Sequence, residues 1–345
     1  MNHSECLSAQ RIVVLGDTRD LYHHGCEAVL AQLLGGLAGA GIPADLVIAG
    51  MDWKSHADAC LGADLVVING EGSLHDNSPA VLNVLEIASR RRELGRRTAL
   101  VNSSWFANDP ASTRGLAAFD LVAMRDPRSR QEVAAAGIAT LEAPDLAVRE
   151  GMARRPREPW HEGAGLVMVS DSTRAEKTRV LRELARKRGW TYLPVLYPPV
   201  VPRPGAKSRK IWKKCRMARM MGPLAGWLMS PRYYAHLIGA PDLESYCRKL
   251  VESGGVVTGR FHTACLCVAL GVPVVVVSSN TPKIEALLTD AGLDLTKRAT
   301  TMDGLQGMTG VPAYSPQELE LLRQFRATAE VRFEELFAAI RRLLP

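Results

Sequence analysis

Short apolar runs alternate with helical patterns along most of this chain. Residues 11–15 form an apolar run that ends at Gly16-Asp17, and 45–48, 64–68, 98–101 and 121–124 repeat the signal. Between them, 26–39 reads as an Ala- and Leu-rich helix. Residues 79–94 read as a helix with Ser78 at its N-cap and Pro79 at its first position, and 127–136 as a helix closed by Gly137. Short strands that are apolar on both faces, separated by helices, predict a parallel sheet covered on both sides.

The pattern breaks at 152–163, which is rich in Arg, Pro, Glu and Gly and reads as a linker. It then resumes with strands at 165–169, 191–196, 255–258 and 273–278. Helices are predicted at 174–188, 243–252, 263–270 and 282–291, and 316–344 is long and amphipathic. A chain of 345 residues suits two domains. The expected fold class is α/β, with two doubly wound Rossmann-like domains facing a cleft in a GT-B-like arrangement. The first domain spans 1–150 and is the acceptor side, 151–163 is the linker, and the second domain spans 164–315 and is the donor side. The last helix, 316–345, packs back on the first domain.

Composition changes the picture only in its charge. No apolar run approaches the roughly 20 residues of a spanning helix, and no basic-then-apolar leader is visible, so a cytoplasmic protein is expected. The seven cysteines show no disulfide or zinc-finger spacing, and Cys265 and Cys267 read as buried thiols. The net charge is +7, yet residues 184–241 contain no acid at all while carrying Lys and Arg from Arg186 to Arg232. That block favours an anionic partner. In 203–232 cations mix with apolar residues, which suits either peripheral docking on an anionic bilayer or a solvated loop near the cleft. No nucleic-acid-binding module is recognisable.

In open parallel sheets ligands sit outside the carboxyl ends of strands, so the residues there carry the chemistry. Gly16-Asp17 is followed by His23-His24-Gly25-Cys26 at a helix start, a place for an anion or polar ligand. Adjacent histidines beside one cysteine do not make a metal motif, and neither a metal nor a cofactor is expected. Asn69-Gly70-Glu71-Gly72-Ser73-Leu74-His75-Asp76 brackets a carboxylate with glycines, and Glu71 and His75 are proton-transfer candidates. Arg125 follows a strand and suits a carboxylate or phosphate, while Asp126 caps the next helix. Asp145 is a weaker candidate, as a hinge or supporting residue. Asp171 is either catalytic or a helix cap before Arg174, with the cap the simpler reading. The strongest segment is Gly259-Arg260-Phe261-His262. It sets a cation, an imidazole and free amides at one helix start. Ser278 and Lys283 add donors to the same mouth.

The order of these motifs resembles the polysaccharide pyruvyl transferase family. The family's G-D start, glycine-rich strand end with a downstream Asp, R-D-x-x-S, and R-x-H running into G-V-P and a lysine look like segments here. They match Gly16-Asp17, Gly70 to Asp76, Arg125-Asp126-Pro127-Arg128-Ser129, and Arg260-Phe261-His262 with Gly271-Val272-Pro273 and Lys283. The resemblance implies a GT-B-like fold and transfer of a pyruvyl group from phosphoenolpyruvate onto a sugar as a ketal. It implies Arg260 and Arg125 as anion clamps with Gly259, Ser278 and Lys283, His262 as acid, and Glu71 or Asp17 as base. The acceptor side would hold His23, His24, Asn69, Gly72 and His75. The chain departs from the family's N-x-G-D, where it has His23-His24-Gly25-Cys26, and carries Glu71 where glycine is common. Two other readings stay open. One is a glycosyltransferase using a nucleotide sugar of the CMP-ulosonic acid type, with Asp171 or Glu71 as nucleophile or base. The other is a non-catalytic scaffold for glycan assembly.

Overall fold

The computed structural model describes residues 10–155, 165–203, 206–224, 228–278 and 283–345. Eleven strands form two all-parallel sheets among the described residues. The first contains β1 (Ile12–Asp17), β2 (Leu46–Ala49), β3 (Leu65–Glu71), β4 (Arg97–Ser103), β5 (Leu121–Met124) and β6 (Leu141–Glu142), in the order β2-β1-β3-β4-β5-β6. The second contains β7 (Met168–Ser172), β8 (Thr191–Tyr192), β9 (Val256–Gly259), β10 (Val274–Val277) and β11 (Ala299–Thr300), in the order β11-β10-β9-β7-β8. In each sheet the strand order reverses beside the first strand, which opens a crevice at the carboxyl ends. These are two Rossmann-like domains.

The helices of the first half are α1 (His24–Gly39), α2 (Ala57–Gly62), α3 (Pro79–Glu93), α4 (Pro110–Gly115), α5 (Pro127–Ala135) and α6 (Leu146–Ala153). Those of the second half are α7 (Ala175–Arg188), α8 (Ala206–Met221), α9 (Pro231–Ile238), α10 (Leu243–Val251), α11 (Phe261–Leu270), α12 (Lys283–Asp290), α13 (Leu295–Arg298) and α14 (Pro316–Arg341).

Four sequence expectations shift. The strand placed at 165–169 starts later, at Met168, and runs through Ser172. The strand at 191–196 keeps two residues, because Leu193 to Leu196 leave the sheet while staying buried. The linker at 151–163 begins as the end of α6, which continues to Ala153, and 156–163 lie outside the described residues. The basic block is a helix rather than a loop. Ile211, Cys215 and Ala218 recur at helical spacing and are buried, a period hidden among the charges.

One apolar core joins the two domains. It includes Leu33 and Leu37 of α1, Val148 of α6, Leu266 of α11, and Phe333 and Ile340 of α14. Glycines let these helices approach: a Cβ on Gly151 would fall 2.6 Å from the Ala269 methyl, and one on Gly36 only 2.0 Å from the Phe337 ring. Helix α14 starts beside the second sheet, where Arg298 pairs with Glu318 at 2.8 Å and Ser315 and Glu318 close a capping box. It ends against α1 through Phe337. An apolar inter-domain contact of this kind holds the two sheets in a set relation, unlike the polar contacts that let domains swing.

Gly36→Ala should therefore overpack the α1–α14 contact and lower stability by about 1–3 kcal/mol in urea unfolding. Gly35→Ala, one residue away with nothing within 4 Å of a new Cβ, should instead raise it by up to ~1 kcal/mol.

Candidate active site

The carboxyl ends of β3, β4 and β5 deliver Glu71, Ser104 and Arg125 to one side of the inter-domain crevice. Glu71 has φ 45°, a conformation that favours glycine, and its side chain is buried. One carboxylate oxygen accepts from Thr18 Oγ1 at 2.7 Å and Asn69 Nδ2 at 3.0 Å, and the Cys26 thiol lies 3.8 Å from the other. Burial raises the Glu71 pKa, with the Thr18 bond opposing it. Asn69 also donates to the Gly16 carbonyl and accepts from Asn102, both at 3.1 Å, so it braces the strand ends.

Arg125 is almost wholly buried. Its Nε donates to Ser104 at 2.8 Å and its Nη1 to Asp145 at 2.7 Å, and its guanidinium lies 4.5 Å from the Phe261 ring centre. Asp145 also accepts the Ala147 amide at 2.9 Å, as the N-cap of α6. The remaining Arg125 nitrogen points at Gly72. A Cβ there would stand 3.0 Å from Arg125 Nη2 and 3.1 Å from Lys283 Nζ, so two cations converge on one glycine from opposite domains. Burial, then Arg125, pushes the Lys283 pKa down to about 8.

From the second domain, Arg260 and His262 arrive at the start of α11. Arg260 does not reach Arg125. Its Nε donates to Asp171 at 2.8 Å and its Nη2 bonds the same oxygen. Asp171 therefore does not cap α7, whose N-cap residue Arg174 has no side-chain cap bond. Because β7 starts later than expected, Asp171 sits inside the strand, where it also accepts the Val195 amide at 3.0 Å. Gly259 packs on Ser172, with a Cβ placed there only 2.8 Å from the serine Cβ. His262 is enclosed, with its ring edge-on to His23 at 5.4 Å and Nε2 3.9 Å from Asp145. Burial pulls its pKa down to about 4 against the pull of Asp145, so the imidazole is neutral at pH 7.

The other sequence candidates separate into two groups. His23 joins the site: it caps α1 by accepting the Gly25 amide at 3.0 Å. His75 lies near it, bonded to Asp76 at 2.7 Å. It lines a shallow groove with Gly72, Phe106, Asp126, Arg128 and Lys283. His24, Asp17 and Ser278 stand apart. His24 stacks on Tyr246 at 4.7 Å within the core, Asp17 is tied to Arg19 at 2.8 Å, and exposed Ser278 offers its carbonyl to Lys177. Sequence reasoning undervalued Asp145 and did not single out Ser104 or Phe261. Position was the usable signal: Ser104 follows a strand, and Phe261 lies between two selected residues.

The profile of the polysaccharide pyruvyl transferase family matches residues 19–281. The chain belongs to that family. Its members are transferases that modify polysaccharides, and this chain is one of them. Among curated protein sequences none matches with significance. A protein assigned as a UDP-N-acetylglucosamine 2-epimerase from Listeria monocytogenes is 14% identical, with 93% of this chain and 91% of that one covered and a TM-score of 0.51. The UDP-N-acetylglucosamine 2-epimerase from Rickettsia bellii is 9% identical, with 96% and 95% covered and a TM-score of 0.50. Both likenesses concern the fold, which is GT-B-like. No described helix is long and apolar enough to cross a membrane.

Asp145→Ala would leave the Arg125 guanidinium buried without its carboxylate. A loss of about 3–5 kcal/mol in chemical unfolding is expected. Arg125→Met with Asp145→Asn together should cost less than that single change.

Proposed function

We propose that this family member transfers the pyruvyl group of phosphoenolpyruvate to a sugar of a surface polysaccharide or of its lipid-linked precursor. The observation that carries the reading is the convergence of Arg125 and Lys283 on Gly72 beside His262. A buried and a half-buried cation aimed at one small gap suit a compact anion bearing a carboxylate and a phosphate. Two C–O bonds to sugar hydroxyls form at the central carbon, and the bond to the phosphate oxygen breaks. One hydroxyl proton ends on the methylene carbon and the other leaves with phosphate. In this reading His262 delivers the proton to carbon. A bound polyanion raises the pKa of the neutral imidazole seen here, so the acid forms with donor binding. Glu71, buried and raised, is the better base, since Asp17 is held by Arg19. Arg260, already paired with Asp171, serves the donor only by sharing its guanidinium between that carboxylate and the donor.

Phosphate release from phosphoenolpyruvate with a glycan acceptor, and no CMP release from a CMP-ulosonic acid, is the expected result. The reverse would establish the glycosyltransferase reading. His262→Gln should lower kcat by ~10²–10⁴, and unchanged function in cells would instead favour a scaffold.

The pH dependence follows from Lys283. Its ammonium is present below about pH 8 and lost above. Donor KM should rise as pH climbs past that value, and Lys283→Arg should remove the rise. The groups that set this pKa are Arg125, which lowers it, and Asp145, Glu71 and Cys265, which raise it.

We infer further that α8 rests on an anionic bilayer, where a lipid-linked acceptor resides. Its outer face carries Lys207, Arg209, Lys210 and Lys213 beside Met217 and Met220, the last 84% exposed, and exposed Val200 and Val201 extend it. The part of the 203–232 segment at 204–205 and 225–227 lies outside the described residues. Sedimentation with phosphatidylglycerol vesicles should weaken with salt and with Met220→Asp; indifference to both overturns the inference.

A further inference from the structure

Gly25 brings α1 and α11 into direct contact across the crevice. A Cβ on Gly25 would lie 2.2 Å from the His262 Cβ, so only glycine admits the imidazole there. The consequence is a cluster drawn from both domains: one ligand-capable atom each of His23, Cys26 and His262 lies within 4.8 Å of the others. His24, the neighbour that the sequence sets beside His23, turns away to stack on Tyr246.

We propose that His23, Cys26 and His262 form a binding site for a divalent transition metal of the zinc type. A thiolate and two imidazoles are a donor set that zinc accepts, and three protein ligands leave a fourth position open. Bond lengths of about 2.3 Å to sulfur and 2.0–2.1 Å to nitrogen set tetrahedral ligand atoms roughly 3.5 Å apart. The cluster needs to contract by about an ångström, within the reach of side-chain rotation. His262 Nε2 makes no hydrogen bond and is free to coordinate. His23 Nδ1 holds only the Gly25 amide, a single bond for a cation to displace. Charge is supplied nearby: Glu71 stands 3.8 Å from the Cys26 sulfur and Asp145 3.9 Å from His262 Nε2. Coordination links the first domain to the second at the crevice. It also withdraws His262 from proton transfer, a consequence that rests on the pyruvyl transfer reading, whereas binding itself does not.

The test is a titration of the metal-free full chain with Co²⁺, followed by absorption. One equivalent should give a thiolate-to-cobalt charge-transfer band that Zn²⁺ abolishes. Cys26→Ser, nearly isosteric, should lose the band, and His262→Gln should weaken Co²⁺ binding at least tenfold. Cys60→Ser, in the far core of the first domain, should leave both unchanged. Absence of the band, or a band that survives Cys26→Ser, overturns the site. One equivalent of Zn²⁺ should also stop phosphate release from phosphoenolpyruvate, and full activity of the zinc-loaded chain overturns the withdrawal of His262. A chain that binds cobalt as expected yet never turns over phosphoenolpyruvate supports the metal site and refutes the functional reading.

Discussion

The site depends on one buried ion pair, Asp145 with Arg125, whose side chains are 0% and 1% exposed. Removing both charges from water is costly, and Coulomb attraction offsets it only where the remaining hydrogen-bonding capacity is met. Here it largely is. Asp145 accepts the α6 amide of Ala147 on one oxygen and Arg125 on the other, while Arg125 also reaches Ser104 and lies on Phe261. The pair therefore ties the ends of β4 and β5 to the start of α6 and to the other domain's α11. It also decides the local charge. Asp145 offsets Arg125 only in part, so Lys283, its pKa lowered first by burial and then by Arg125, adds a second cation at Gly72, which suits the gap to an anion.

Backbone proximity does the rest. Gly25, Gly36 and Gly151 each face a side chain or helix at a distance no Cβ tolerates, so α1, α6, α11 and α14 pack as one apolar block. That block lies beneath the crevice and sets how the two sheets meet. A side chain from each domain can then be held to within a fraction of an ångström by packing, which is what the proposed proton transfer and anion clamping require.

Much of this was legible in the sequence because buried parallel strands leave continuous apolar runs. The strands β1, β3, β4, β5, β9 and β10 all stand where such runs are. The two-residue strands β6 and β11 leave too short a trace, and α8 hides its buried positions among cations. At the site, Arg125, Glu71, Lys283 and His262 could be chosen because they follow strands or open helices. What could not be read was partnership. Nothing local says that Asp171 holds Arg260, that Asp145 holds Arg125, or that His262 rather than His24 meets His23. Those are contacts between distant segments, and spacing along the chain does not encode them.

The two departures from the family pattern meet in three dimensions. The family's N-x-G-D places a carboxylate where this chain has Cys26, and glycine is common where it has Glu71. The Cys26 sulfur and the Glu71 carboxylate are in contact at 3.8 Å. In this chain the crevice has its carboxylate at the end of β3, against the thiol at the start of α1. Glu71 holds a positive φ, a strain of order 1–3 kcal/mol that Thr18 and Asn69 hold in place through its carboxylate. A carboxylate retained at that expense is better explained by the chemistry of the crevice than by the folding of the strand, for which glycine would serve with less strain.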